Sequence, residues 1–173
     1  MRRFAYAISV GLIAVFAVSV TACSGPDWRV VKLYGGRGSI ELIQKPTAVE
    51  AFRLAPDGLP KGSETPRFGR FEITSDPVAV SAEDAKILDT ILTSPDTYDW
   101  HRAKGCIFTP GVGLRFARET SYLDIALCFA CDELQIYREG RVVGMEDFDD
   151  ARPQLLAIAK RLFPADEAIS ALE

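Results

Sequence analysis

Residues 112–129 of this 173-residue chain read VGLRFARETSYLDIALCF. Apolar side chains take every second position on either side of the polar residues 118–121. They are Val112, Leu114 and Phe116 before that stretch, and Leu123, Ile125, Leu127 and Phe129 after it. A period of two is typical of a strand with one buried face, and a short polar stretch between two such runs is typical of a turn. The sequence therefore predicts an antiparallel hairpin here.

Further strand-like segments surround this hairpin. Residues 133–137 and 141–143 predict a second hairpin, in which Gly140 supplies the positive φ that a tight turn requires. A short apolar strand is predicted at residues 106–108. In the first half of the chain, composition predicts four strands at residues 28–34, 39–44, 49–54 and 68–73, a glycine-rich hairpin connection at 35–38, and an exposed loop at 55–66.

Two segments have helical patterns instead. Ser81 caps the first, whose apolar stripe consists of Ile87, Leu88, Ile91 and Leu92. The second covers about residues 151–163, and its apolar face consists of Leu155, Leu156, Ala159, Leu162 and Phe163. Strand runs joined by hairpins, with only two helices, predict an α+β domain. We expect a mainly antiparallel sheet built from hairpins, with both helices packed on one face and with Leu88 and Leu156 buried there.

The beginning of the chain has the three parts of a secretory signal. Arg2 and Arg3 precede an apolar run at residues 5–20, and small residues follow the run. The run is shorter than the roughly 20 residues that a membrane span prefers, and no basic cluster follows it. A transmembrane helix and an ordinary signal peptide cut at an Ala-x-Ala-like site are the two alternatives.

Residues 20–23 read VTAC, which resembles the lipobox of bacterial lipoproteins. The resemblance implies cleavage before Cys23 and attachment of a diacylglyceryl group to its sulfur. Because Ser24 and not aspartate follows, it also implies release to the outer membrane, on its periplasmic face. The chain then divides into a signal peptide at residues 1–22, a lipidated tether at 23–27 and a single α+β domain at 28–173.

The charge of the mature chain argues against an anionic partner. Cleavage before Cys23 leaves 151 residues, enough for one hydrophobic core. It removes two arginines and no acidic residue, which leaves 18 basic and 24 acidic side chains and a net charge of −6. An acidic domain is a poor candidate for binding nucleic acid or an anionic membrane surface. We therefore expect membrane attachment through the lipid, and an envelope protein as any further partner.

Three cysteines remain in the domain, namely Cys106, Cys128 and Cys131. The register of the predicted hairpin places position 108 near 131, which brings Cys106 close to the other two. Four states stay open: a structural disulfide from Cys106 to either partner, a C-x-x-C redox pair, a zinc site completed by His101 or water, and reduced cysteine used as apolar packing. Export favours a disulfide. Covalent haem in its usual form is excluded, because aspartate and not histidine follows Cys131.

The cysteines also carry a second resemblance. Cys-x-Phe-x-Pro from Cys106, then Gly-Leu-Arg-Phe, then Leu-Cys-Phe-x-Cys ending at Cys131 is similar to a pattern in uncharacterised bacterial proteins. There too a single cysteine precedes an arginine-bearing strand, and Cys-Phe-x-Cys follows it. The resemblance implies that the three cysteines act together, and it implies no substrate.

His101 is the only histidine, so a Ser-His-Asp or Cys-His mechanism would have to use it. It stands in a predicted surface loop, which favours a solvated side chain. Because the sequence contains no complete catalytic constellation, it predicts a lipid-anchored cell-envelope domain of binding or structural type, without a cofactor. The alternative is a thiol-redox or zinc-binding protein that uses Cys106, Cys128 and Cys131.

Overall fold

The structure is a computed structural model that describes residues 25–58, 67–101 and 104–173. The predicted signal peptide and Cys23 lie outside the described residues, and so does most of the predicted loop at 55–66. Within the described ranges, no helix is long and apolar enough to cross a membrane.

Eight strands of the described chain form one sheet, and every strand pair in it is antiparallel. The strands are β1 (Ala48–Gly58), β2 (Arg67–Phe68), β3 (Phe71–Ile73), β4 (Val78–Ala79), β5 (Val112–Arg118), β6 (Ser121–Cys128), β7 (Glu133–Arg138) and β8 (Arg141–Asp147). Their order across the sheet is β2-β3-β1-β5-β6-β7-β8, and β4 also pairs with β1. The predicted α+β class with a mainly antiparallel sheet is confirmed.

The central hairpin has the predicted register. Val112 lies opposite Leu127, and Arg118 lies opposite Ser121 at the turn. In the second hairpin both turn residues have positive φ, 50° at Glu139 and 74° at Gly140. A turn with two positive φ angles matches the twist of the strands that it joins, which explains the glycine at the second position.

Five helices lie among the described residues. They are α1 (Trp28–Leu33), α2 (Arg37–Gln44), α3 (Ala82–Leu92), α4 (Arg152–Leu162) and α5 (Glu167–Ser170). The two predicted helices are α3 and α4. The Ser81 hydroxyl accepts a hydrogen bond from the Asp84 backbone N–H at 3.0 Å, so the predicted cap is confirmed.

The predicted strands at residues 28–34 and 39–44 are wrong, because both segments are mainly helical. At the start of α1 the Asp27 carboxylate accepts a hydrogen bond from the Arg29 backbone N–H at 2.8 Å and caps the helix. Buried residues in α1 and directly after it recur at helical spacing. They are Val30, Leu33 and Tyr34.

The glycine-rich residues 35–38 consequently connect two helices and not two strands. Gly35 has a φ of 72° and lies against Val143, where a side chain would crowd β8. The positive φ, together with this close approach, favours glycine at that position.

Three smaller corrections concern the strands near the sheet edge. β1 continues to Gly58, so residues 55–58 belong to a strand and not to the predicted loop. The strand predicted at 68–73 is a tight hairpin of β2 and β3, in which Gly69 (φ 59°) packs on the Tyr137 ring and leaves no room for a Cβ. Residues 106–108 form no strand.

One face of the sheet is covered by helices. All five of these helices place buried apolar side chains in a single cluster with alternate residues of β5, β6 and β7, such as Leu114, Ile125 and Ile136. Leu88 of α3 is 0% exposed and Leu156 of α4 is 7% exposed, as predicted. The two predicted helices therefore share one face, but α1, α2 and α5 cover it with them.

The opposite face is covered by the β2–β3 hairpin and by the segment around Phe108. Its cluster consists of Phe52, Leu54, Phe68, Phe71, Phe108, Ala126, Cys128, Cys131 and Tyr137. It also borders an ion pair: the Arg115 Nε and the Asp124 Oδ1 lie 2.7 Å apart, and Asp124 is 2% exposed. The Arg115 guanidinium stacks on Phe52 and Phe68, 5.5 Å from each ring centre.

Candidate functional site

The turn after β6 brings two of the predicted site cysteines together. Cys106 and Cys131 lie at disulfide-bonding distance, with Cα atoms 6.0 Å apart, within the range that disulfides require. This confirms the prediction that Cys106 lies within reach of Cys128 or Cys131. The register of β5 with β6 ends at Val112 and Leu127, and from there the segment before β5 and the turn after β6 bring the two cysteines together. Cys106 is exposed to solvent, whereas Cys131 is buried.

Cys128 is a free, fully buried thiol. It ends β6, packs among the aromatic residues of the hairpin-covered face, and lies 3.9 Å from the Thr109 hydroxyl. Burial in an apolar cluster suits cysteine used as a small apolar side chain. Of the three domain cysteines, two lie at bonding distance and the third is part of the core.

Carboxylates lie beside the cysteine pair. Glu133 and Asp147 are opposite each other on β7 and β8, and they are 5% and 4% exposed. Burial first, and then the negative charge of Asp147, raises the pKa of Glu133. Burial likewise raises the pKa of Asp147, whose Oδ2 has no hydrogen-bond partner and lies 4.0 Å from the Lys104 ammonium.

Lys104 links this acidic group to the cysteine pair. Its Nζ donates to the Cys131 carbonyl oxygen at 2.7 Å and to Asp149 Oδ2 at 2.5 Å. Burial disfavours the charge of Lys104, but the hydrogen bond to Asp149 and the nearby carboxylates outweigh it and raise the pKa overall. The ammonium therefore holds the segment that leads to Cys106 against the ends of β7 and β8.

No metal site is assembled in the part of the chain that the structure describes. No group of three or more histidine, cysteine, aspartate or glutamate side chains there is arranged to hold a metal ion. Cys106 and Cys131 lie at bonding distance from each other, and a disulfide has no thiolate to offer zinc. His101 lies on the rim of a cleft with other neighbours.

This cleft lies between α1 and the edge of the sheet, and its volume is about 490 Å³. β8 is the last strand in the order of the described sheet, so its edge forms one wall. Helix α1 contributes the opposite wall, and the residues after Tyr98 close one end. The side chains that characterise the cleft are Trp28, Arg29, Lys32, Trp100, His101 and Met145.

Hydrogen bonds and ring packing hold the Trp100 side chain, which forms part of the cleft wall. The indole Nε1–H donates to the Pro95 carbonyl oxygen at 2.8 Å, and the Tyr98 ring packs edge-on at 5.2 Å. Tyr98 and the buried Tyr34 join their hydroxyls at 2.7 Å, and burial raises the pKa of both phenols. The guanidinium of Arg29 lies 5.0 Å from the Trp100 ring centre. Trp100 is thus held from several sides, which makes a preformed wall.

Trp28 and His101 face solvent at the cleft rim. Trp28 is 71% exposed, and His101 is exposed as well. The hydrogen bond that orders the His101 turn is made by its backbone N–H to Asp99 Oδ1, at 3.2 Å. The surface-loop interpretation of His101 therefore agrees with the structure. Sequence reasoning missed Trp28 and Trp100 as a pair, because only the fold brings residues so far apart in the chain to one cleft.

The fold and these two sites define an antiparallel α+β protein with a cysteine pair at one end of its hairpins and an aromatic cleft at its sheet edge. The chain matches no protein-family model, and no curated protein or solved structure shows significant similarity to it.

Proposed function

We propose that the chain is a lipid-anchored protein of the cell envelope, at the periplasmic face of the outer membrane, whose domain acts by binding or as a structural module. The observation that carries the proposal is the cysteine pair. Disulfides persist in oxidising compartments, and Cys106 and Cys131 lie at disulfide-bonding distance. This geometry is independent of the signal sequence, and both favour an exported protein.

The cleft supports the binding role. Two tryptophans and two cations border the open edge of a strand, and such a surface can hold a partner through stacking, hydrogen bonds and apolar contact. The acidic charge of the mature chain argues for a partner other than nucleic acid.

Replacement of the lipid-attachment cysteine tests the proposal. Cys23→Ser should abolish lipidation and leave uncleaved precursor or a mislocalised soluble form. The wild type should stay in the membrane fraction through a high-salt wash, because each buried methylene of the lipid contributes ~0.8 kcal/mol. Intact mass and fractionation measure both results. Cys128→Ala is the matched control, since it removes a cysteine but should leave the anchor in place. Release of the wild type by salt alone would show that attachment is electrostatic.

A thiol-redox function is the second candidate, and one observation favours it. Cys106 is exposed, so an external dithiol can reach the disulfide, and the thiol of Cys128 precedes Cys131 by three residues. Such a dithiol would reduce the bond with two electrons and two protons and become a disulfide itself. Thiol counting with metal analysis on the purified chain separates a disulfide from the metal alternative. A structural disulfide leaves one free domain thiol and no metal, whereas three free thiols with one equivalent of zinc would support the metal alternative.

A further inference from the structure

We propose that the surface formed by α1 and the edge of β8 rests on the lipid bilayer, with Trp28 in the headgroup region. We call this surface the anchor face and define it by Trp28, Lys32, Trp100 and Met145. The inference rests on the lipid anchor of the proposed function and adds to it a defined orientation of the domain on the membrane.

The short chain between the lipid and the domain keeps α1 close to the bilayer. Four residues separate Cys23 from Trp28. Five extended residues span at most about 18 Å. A domain of this length is about 38 Å across, by the usual scaling of size with length. The bilayer must therefore lie within half a domain width of the start of α1. The last residue before α1 is also held, because Asp27 caps the helix and pairs with Arg29 at 3.1 Å.

Exposed apolar side chains are also frequent on α1 and β8. The described residues include six large apolar side chains that are more than a third exposed. Three of them belong to α1 and β8: Trp28 at 71%, Val142 at 55% and Met145 at 53%. Val142 and Met145 lie opposite Tyr137 and Gln135 of β7, so they project toward the hairpin-covered face, whereas α1 packs on the helix-covered face. Exposed apolar side chains therefore flank the β8 edge from both faces, which favours the edge itself as the surface that meets the bilayer.

The chemistry of these side chains suits the membrane–water interface. Tryptophan prefers that depth because its ring is apolar while its N–H needs a polar partner. Lys32 stands four residues after Trp28, on the same side of α1, and is exposed. A lysine so placed can extend its ammonium to the phosphates beside an inserted ring.

The contact should be apolar and not electrostatic. The mature chain has a net charge of −6, and the Arg29 guanidinium is already paired with Asp27 and stacked on Trp100. Zwitterionic lipid should therefore be sufficient, and salt should change the contact little. A polypeptide strand added to the edge of β8, or a second copy of the chain, would need the same surface to be free of lipid.

The chain has only two tryptophans, which makes fluorescence a direct test. Trp100→Phe leaves Trp28 as the only indole. The lipidated full chain with this substitution is placed in phosphatidylcholine vesicles, with and without bromine on the acyl chains. Bromine near the glycerol end of the chains should quench the Trp28 emission about twofold, because an interfacial indole lies at that depth. The emission should also shift to shorter wavelength relative to the unlipidated chain that carries Cys23→Ser.

The control reports on an exposed site far from β8 in the sheet. Ile87 of α3 is 37% exposed, and α3 follows β4, which pairs with β1, four places from β8 in the strand order. Ile87→Trp, in a chain with both native tryptophans changed to phenylalanine, should remain unquenched. If Trp100→Phe fails to fold, the difference in quenching between the wild type and Trp28→Phe gives the same information, since Trp28 is exposed.

Two results would overturn the inference. Equal quenching at positions 28 and 87 would show adsorption without orientation, and no quenching at position 28 would show a domain that stands off the bilayer with its cleft free for a protein. Failure of the lipid anchor itself is recognised separately, because the chain would then lack the lipid mass and would not float with the vesicles. In that case the proposed function fails and the inference fails with it.

Discussion

The two faces of the sheet are stabilised in different ways. The helix-covered face is filled by mainly aliphatic side chains that five helices bring to it. The opposite face is covered by two short strands and a segment without regular structure, and it contains aromatic rings, an ion pair and the cysteine pair. Short covers bury too little apolar area to hold themselves in place. We infer that cross-links and charges hold the second face, which should make it the face that responds to redox state and pH.

Loss of the enclosed cation should have the largest effect. Arg115→Ala leaves the Asp124 carboxylate buried without its partner, and truncation of one member of a buried pair costs about 3–5 kcal/mol. Burial already raises the pKa of Asp124 against the effect of Arg115. Urea unfolding measures the loss. Arg115→Ala combined with Asp124→Ala should be more stable than Arg115→Ala alone, and a double variant no better than the single one would show that the pair is not coupled.

The second-largest loss of stability is expected from cavities created by substitution on the helix-covered face. Leu88→Ala and Leu156→Ala should each cost roughly 2–5 kcal/mol, since both side chains are buried in the same cluster. The cost should be the same with and without reductant, because the cysteine pair lies on the other face. Ile87→Ala, at the exposed neighbour of Leu88, is the matched control. Near-neutral effects at both leucines would contradict the assignment of this face.

The disulfide should contribute about as much as one such cavity or less. Cys106 and Cys131 are 25 residues apart. The chain-entropy model gives roughly 3 kcal/mol for a loop of that order. Cys106→Ala should lower the melting temperature under oxidising conditions and change it little under reducing conditions. A chelator should leave the wild type unchanged. If the chelator destabilises it, and any of the three cysteine substitutions has a similar effect, a metal and not a disulfide holds this end of the sheet.

The buried carboxylates should give the smallest effect, visible as a pH dependence. Burial raises the pKa of Glu133 above its usual value of 4.5, so the folded state binds that proton more tightly. The resulting stability is complete below pH 4.5 and is lost as the pH rises through the folded-state pKa. Glu133→Gln should therefore flatten the fall in stability above that pH. Glu139→Gln, in an exposed turn, should leave the curve unchanged, and an unaltered curve for Glu133→Gln would refute the assignment.

Carboxylates whose pKa is lowered in the folded state limit this gain in stability at low pH. The Arg161 guanidinium lowers the pKa of Asp84, and the Ile169 backbone N–H lowers that of Asp166. Their stabilisation is present above the usual aspartate value of 3.8 and is lost as the pH falls through the lower folded-state pKa. We therefore expect maximum stability in mildly acidic solution, between the windows of the two groups, and pH-dependent thermal melting measures it.

Local pattern was sufficient where an element is long or its partner is near in sequence. The alternation in β5 and β6 predicted their pairing correctly, because a slip of one residue would turn Leu123, Ile125 and Leu127 away from the helices. The helix cap at Ser81 and the apolar face of α3 were predicted equally well from local sequence. The same hairpin register is sufficient to predict that Cys106 lies near the other domain cysteines.

Long-range packing decided what local pattern could not. Helices α1 and α2 are too short to be stable alone, and their β-branched and aromatic residues favour strands when considered without neighbours. Packing on the sheet settles both conformations. Helix α1 contacts β8, where the Leu33 carbonyl lies so close to Gly144 that no side chain fits, and α2 contacts β5 and β6.

The choice of disulfide partner follows the same rule. Cys128 and Cys131 are equally near Cys106 in the sequence pattern, but Cys128 ends a strand under aromatic rings while Cys131 lies in the turn beside Cys106. The sequence by itself determined the central sheet, two helices and the proximity of Cys106 to one of the other two domain cysteines, because period and hairpin register are local. The tertiary structure alone decided the first two helices, the choice of Cys131 as the neighbour of Cys106 and the meeting of Trp28 with Trp100, because each depends on contacts between segments far apart in the chain.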